Sequence, residues 1–493
     1  MAIFTVLNGT GIGGAGVQFG TIGSTIAAGG VAGNPNMAGA TGFFNLVGGG
    51  RVSVTGAGLS FSPPNNLGGT VNSLTYENPV ATPIFSITGM SIALVTLAGL
   101  VSGGDENAIL TAIFSGNDRI FGSTQADTLK GYDGDDMLRG GAGADNLDGG
   151  NGLDTANYQG SNAEVFVDIQ NNLLFSGHAA GDVLTNIENL YGSSFGDTLS
   201  GNADRNIIGG EGGADLIDGR GGDDALAGET GDDILNGRDG ADRLVGGAGA
   251  DNLIGDAGND SMDGGADNDS AFGGAGNDSI TGGTGDDLLD GGDDNDYLEG
   301  GAGADTLTGG NGIDTISYAS AGAGVVAVLG GVSTGGDAAG DTMSGIEQVM
   351  GSSFADTITG DANANTLWGL GGDDILIGGT GADLLKGGAG NDSFTYVAIS
   401  DSTVAAAGKD TVVDFTTGDK IDLAAIDADG NGENGDTAFT FGTGAFTGAG
   451  QIRVLAFAGG RYGVYLETTG NNLEDALINV YSDHVLTAAD FVL

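Results

Sequence analysis

The sequence predicts an all-β protein built around a solenoid of short strands and tight turns. Three observations carry that prediction. Of 493 residues 103 are Gly and only 5 are Pro; Asp or Asn returns every nine residues through three long stretches; and a large apolar residue stands two places after most of those positions. Residues recurring on a short fixed period make a stack of repeated units, each too small to bury a face alone.

The formal net charge is −53, from 66 acidic and 13 basic residues, yet 39% of the chain is hydrophobic and mean hydropathy is +0.05. That is far from an ordinary globular composition and too apolar for a solvated acidic tail. So acidic a surface repels nucleic acid and anionic lipid, and no nucleic-acid partner is expected. Cysteine is absent, which excludes a disulfide framework and a thiolate nucleophile. The opening MAIFTVLNGTGIGGAG lacks the basic and apolar regions of a cleaved signal peptide. The longest apolar run, MSIALVTLAGLVSGG from Met90, is broken by Gly and short for a bilayer span, so no transmembrane segment is expected. The reading is a soluble protein, cytosolic or exported by another route.

The first ladder is Asp118, Asp127, Asp136, Asp145 and Asp154. The second is Asp197, Asn206, Asp215, Asp224, Asp233, Asp242, Asp251, Asp260, Asp269, Asp278, Asp287, Asp296, Asp305 and Asp314. The third is Asp356, Asn365, Asp374, Asp383 and Asp392. The two Asn keep a side-chain oxygen. Written out, the unit is GGxGxDxUx, with U apolar: Leu253 follows Asp251, Ile280 follows Asp278, Leu307 follows Asp305. Strand side chains alternate faces, so residues two apart both point inward. Gly in the first six positions supplies the positive φ of a tight turn, and two units close a coil of about 18 residues.

Burying one Leu or Ile per repeat yields roughly 1.5–3 kcal/mol, whereas fixing nine backbones costs about 1–2 kcal/mol each. Aspartates stacked at about 4.8 Å also repel. A hard cation removes the repulsion and adds binding energy. Ca²⁺ fits, taking 6–8 oxygen ligands from carboxylates and carbonyls, and with no Cys and two His a softer metal has no ligands. The alternative is a metal-free Gly/Asp solenoid with polar turns.

The repeat resembles that of the RTX (repeats-in-toxin) family, nearly intact at Gly246–Asp251, Gly273–Asp278, Gly282–Asp287, Gly300–Asp305 and Gly387–Asp392. The resemblance implies a parallel β-roll over 114–392. It also implies Ca²⁺ held between coils by the Asp at motif position six and by backbone carbonyls at positions two and four. All 24 ladder residues are the candidate metal ligands. An ion bridging each rung to the one two places on gives about 18 sites. Position four is Asp267 or Asp294, and position two Glu229 or Arg238, in some repeats, which predicts strained turns there.

Two inserts, at about 155–191 and 315–350, interrupt the beat and resemble each other. GHAAGDVLTNIENLYGSSFGDTLSG follows DTANY, and GDAAGDTMSGIEQVMGSSFADTITG follows DTISY. Their interiors AEVFVDI and GVVAVLG read as strands. His178 in the first is matched by Asp337 in the second, which argues against a catalytic His178.

Residues 393–493, above all VVDFTTGDKIDL, resemble the domain that follows the roll in serralysin-type secreted proteases. That resemblance implies a β-sandwich-like secretion domain whose last residues, Asp490, Phe491, Val492 and Leu493, address a type I exporter; DFVL is equally compatible with a last strand. DADGNGENGD from Asp427 has EF-hand-like oxygens but Ala438 in place of the bidentate Glu, so it reads as a loop. The proteases' HExxH zinc helix is absent, as are a nucleophile elbow and a P-loop, so no catalytic residue is assigned. GIGGAG near Gly11 lacks a βαβ setting for dinucleotide binding.

Residues 1–113 read as a β-rich N-terminal domain, with strands in RVSVTGAGLSF, GGTVNSLTYE and TPIFSITGMSIALVTLAGL, followed by a short helix through DENAILTAIFSG. The expected function is a secreted Ca²⁺-binding protein that folds outside the cell. Its expected role is structural or adhesive, at a surface or in a matrix, with self-assembly or a cell-surface glycan as partner. The alternatives are a secreted hydrolase or glycan-active enzyme with its site in residues 1–113 or the inserts, and a protease scaffold without its catalytic domain.

Overall fold

The structure, a computed structural model, describes residues 116–428, 438–442 and 444–493 in full; of residues 1–115 it describes only the backbone of their strands. The helix expected after Gly104, the GIGGAG stretch and most of the DADGNGENGD loop lie outside the described residues. The chain divides into two units, Met1–Arg238 and Asp239–Leu493. Both are all-β, and among the described residues the only helical turns are short 3-10 segments.

In the first unit the N-terminal strands Ala40–Asn45, Arg51–Gly56, Thr70–Glu77 and Pro83–Ala93 pair antiparallel in that order. From Arg119 onward the pairing between successive coils is parallel and the register advances one coil at a time: Thr128 faces Asn146 and Leu129 faces Leu147, and Leu199 faces Ile217. The second unit repeats the pattern, Leu253 facing Ala271, which faces Leu289, which faces Leu307. Stacked in this way, the residue two places after each Asp forms a continuous apolar row. Leu253, Ile280, Leu289, Leu298 and Leu307 are all at 0% exposure, and the two flanking strand positions face outward.

The expected strands in both inserts are present, and the inserts do not break the stack. Asn146 pairs with Val183 and Thr155 with Asn189; Thr306 pairs with Thr342 and Thr315 with Gln348. The first insert folds back as a hairpin of Phe166–Asp168 and Leu173–Phe175, with the Phe166 and Phe175 rings 5.3 Å apart. Each adds its own apolar core, Tyr158, Val165 and Ile187 in one, Tyr318, Val325 and Ile346 in the other.

The parallel rows also continue past residue 392. Leu384–Lys386 pairs with Thr411–Phe415, and Ser393–Thr395 with Lys420–Asp422. The meander Gln451–Ala456, Arg461–Glu467, Ala476–Ser482 then joins the first of these rows through Thr411–Phe415. Phe491–Val492 extends the second through Lys420–Asp422.

Candidate metal centre

Every one of the 24 ladder residues is buried, none above 4% exposure. The backbone places each just ahead of a strand, so the side chain turns inward beside the apolar row. In most of them one carboxylate oxygen, Oδ1, accepts the backbone N–H of the ladder residue one coil earlier, while at Asp197 and Asp356 it accepts the amides of Val165 and Val325 in the inserts. The distances stay between 2.6 and 3.0 Å, as in Asp197 to Asp215, Asp260 to Asp278 and Asp287 to Asp305. The spacing is 18 residues each time.

The other oxygen, Oδ2, is the chemically demanding one. In Asp136, Asp145, Asp154, Asp215, Asp260, Asp269, Asp278, Asp287, Asp296, Asp305, Asp314, Asp374, Asp383 and Asp392 it is buried with no hydrogen-bond donor. A buried anionic oxygen without a partner is among the costlier features a fold carries. It lies in a cradle at the motif's first glycine. A Cβ on Gly264 would meet Asp269 Oδ2 at 2.5 Å and the Gly282 carbonyl, one coil on, at 2.7 Å. Carboxylate and carbonyl oxygens thus converge where no donor reaches, which is a donor set for a hard cation such as Ca²⁺. Among the described residues no three acidic or histidine side chains meet, so such an ion draws most of its ligands from the backbone. The carbonyl beside the bare oxygen is that of position one; those at positions two and four abut the same glycine of the next coil, Gly247 against Gly265 and Gly258 against Gly276.

Electrostatics agree with the geometry. Burial pushes Asp278 up to about 7, and repulsion from Asp260 and Asp296 adds to the rise, against the hydrogen bond from the Asp260 amide. Asp136, Asp215, Asp269, Asp305 and Asp374 also reach about 7, burial again being the main cause. Two like charges at this spacing resist ionisation unless a cation joins them.

Position two of most repeats has φ in the left-handed region, between +70° and +114°. Glycine adopts it freely, but Glu229, Arg238, Asp256 and Leu370 are held there as well, and Asp267 and Asp294 at position four have φ of 76°. A non-glycine residue in this region costs roughly 1–2 kcal/mol. Asp267→Gly relieves that strain and removes a charge that repels Asp269, against a loss of about 0.5–1 kcal/mol to the freer unfolded chain. Calorimetry of the calcium-loaded variant is expected to show a gain of up to about 1 kcal/mol.

Six carboxylates absent from the nine-residue ladders complete the row. The amides of Asp145 and Asp154 donate to Asp182 and Glu188 at 2.7 and 2.8 Å. Those of Asp305 and Asp314 donate to Asp341 and Glu347 at 2.9 and 3.0 Å, and those of Asp383 and Asp392 to Asp410 and Asp419 at 3.0 Å. The sequence signal was the D-x-U spacing, intact at Asp182 and Leu184, Asp341 and Met343, Asp410 and Val412, and Asp419 and Ile421. A second, exposed row also escaped sequence reading: the position-five amide of one coil donates to the position-five side chain of the coil before it, Asn277 to Asn259 and Asn295 to Asn277 at 2.9 and 3.1 Å. His178 donates only its backbone N–H, to Ser161.

A stacked, inward-facing carboxylate row with bare oxygens defines a calcium-binding parallel β-solenoid. The RTX calcium-binding nonapeptide repeat family matches residues 114–147, 121–156, 191–226, 218–253 and 227–262. The peptidase M10 serralysin C-terminal family matches residues 252–493. The chain is an RTX protein with a serralysin-type C-terminal region, and its cofactor is Ca²⁺. That combination marks it as extracellular, exported by a type I system. Among solved structures it is similar to the AlgE6R3 subunit of the Azotobacter vinelandii mannuronan C5-epimerase, at 23% identity over 28% of this chain and 78% of that one, with a TM-score of 0.20. No curated protein matches the chain. Among the described residues no helix is long and apolar enough to cross a membrane.

Proposed function

We propose that this secreted calcium-binding protein is a structural or adhesive component of a cell surface or extracellular matrix, hardened by Ca²⁺ after export. The observation that supports this reading is repetition. The same carboxylate, amide and carbonyl recur coil after coil in both units, so the buried polar chemistry of the described residues goes mainly into holding the stack. A catalytic site needs a few unlike groups converging on one substrate atom; a scaffold needs like groups at regular intervals. The surface supports it too, since Phe175, Val183, Ile313 and Val332 stand exposed on the inserts and their borders, where contacts with a partner or a second copy would form.

The test is electron microscopy and a cell-attachment assay on the purified protein with and without Ca²⁺ at ~10 mM, a level well above the Kd of roughly 10⁻⁴–10⁻³ M of extracellular modules. Ordered assemblies or calcium-dependent attachment are expected. A dispersed, non-adherent protein that turns over an ester, peptide or glycan substrate would overturn the reading in favour of a secreted enzyme.

A further inference from the structure

We propose that the backbone at position two of each repeat decides whether its rung takes calcium, and that the two rungs after each insert are closed by the protein's own hydrogen bonds and take none. The proposal rests on calcium binding by the roll and assigns which rungs carry it.

At rungs such as Gly265 with Asp269 and Leu370 with Asp374, position two is left-handed and the Asp keeps a bare Oδ2. At five rungs position two is Ser123, Ser193, Asn202, Ser352 or Asp361, none of them left-handed. There its N–H turns onto the ladder residue. Ser123 donates to Asp127 Oδ2 at 2.6 Å, Ser193 to Asp197 Oδ2 at 2.5 Å and Ser352 to Asp356 Oδ2 at 2.6 Å. Asn202 and Asp361 donate to Asn206 and Asn365 at 2.8 Å each. Each serine hydroxyl adds a second bond to the same carboxylate, 2.8 to 2.9 Å long.

At the rungs after the inserts a donor thus occupies the place where the open rungs leave an oxygen for a cation, whereas Asp127 keeps a bare Oδ1. At Asp197 and Asp356 the N–H holds Oδ2 while the serine hydroxyl and an insert amide hold Oδ1, so these charge-assisted bonds already meet the charge that a cation meets elsewhere. Two independent features agree. Both neutral rungs of the chain, Asn206 and Asn365, are closed ones, where a cation's counter-charge has no use. The carboxylates that bridge the inserts are closed by tyrosine instead: Tyr158 and Tyr318 donate to Oδ2 of Asp182 and Asp341 at 3.3 and 2.8 Å. Each insert is therefore a stretch of roll tied by hydrogen bonds and its own apolar core between calcium-bearing stacks.

The test compares neighbouring rungs of one row. Bound Ca²⁺ per chain is counted by equilibrium dialysis for the full-length protein and for Asp374→Asn and Asp356→Asn, with circular dichroism in Ca²⁺ confirming the fold. Asp374→Asn is expected to lose about one ion, while Asp356→Asn keeps the parental count and a calcium midpoint within about twofold. Asn365→Asp, which adds a carboxylate to a closed rung without removing a contact, is expected to gain no ion. Loss of calcium from Asp356→Asn, or a gain in Asn365→Asp, overturns the proposal. An unchanged count in Asp374→Asn would instead overturn the assignment of calcium to the ladder itself.

Discussion

Removal of calcium at pH 7.5 is expected to dissolve most of the β-structure of residues 116–428, seen as loss of the far-UV β signal in chelator and its return on adding Ca²⁺. The magnitude follows from linkage. An ion at ten to a hundred times its Kd stabilises the folded state by roughly 1.4–2.7 kcal/mol per site. Six such sites supply roughly 8–16 kcal/mol, as much as the 5–15 kcal/mol margin of a whole domain. Without the ions the bare oxygens of rungs such as Asp260, Asp278 and Asp296 remain buried without donors, and their charges repel along the row. An unchanged β signal in chelator would show that the apolar row and backbone ladder suffice.

Acidification in chelator is expected to restore part of what calcium removal destroys. Burial raises Asp136, Asp215, Asp269, Asp278, Asp305 and Asp374 from 3.8 to about 7 in the folded chain. A group whose folded pKa is raised favours the fold fully below about pH 4, and that contribution disappears as pH rises through 7. At pH 5 the folded carboxylates hold protons that the unfolded ones have lost, which stabilises the metal-free roll by about 2 kcal/mol per group relative to pH 7.5. The β signal in chelator should therefore grow between pH 7.5 and 5. In the presence of Ca²⁺ the trend reverses, because ligands must shed their protons to bind, and the calcium midpoint should rise as pH falls. A metal-free signal that stayed flat or fell on acidification would show that desolvated carboxylates do not limit folding.

The solenoid, its register and the inward pairing of Asp with an apolar residue could be read from the sequence because one period of nine serves turn, strand and ligand together. Asp278 and Ile280 illustrate it: a single spacing fixes the face of both. Sequence reading ended the ladders at Asp154, Asp314 and Asp392, because it followed the period. The structure passes those points by longer steps, to Glu188, Glu347 and Asp419, and only the pairing of distant strands supplies the alignment. The split between open and closed rungs was invisible for a different reason. It depends on which way one peptide faces at Ser193, Asn202, Ser352 or Asp361, and the sequence marks this only by a Ser, Asn or Asp at position two. The strain expected at Glu229, Arg238, Asp267 and Asp294 is present, in the form of left-handed backbone at all four.

The 18-residue step between bonded rungs bears on speed as well as shape. Every new coil closes against chain synthesised two repeats earlier, so the loop entropy of each addition is small and nearly constant, and growth is a sequence of short local events. The longest crossings are 37 residues from Asp145 to Asp182 and 36 from Asp305 to Asp341. Propagation along each unit should pause there, so the two inserts pace the assembly of the coils on either side.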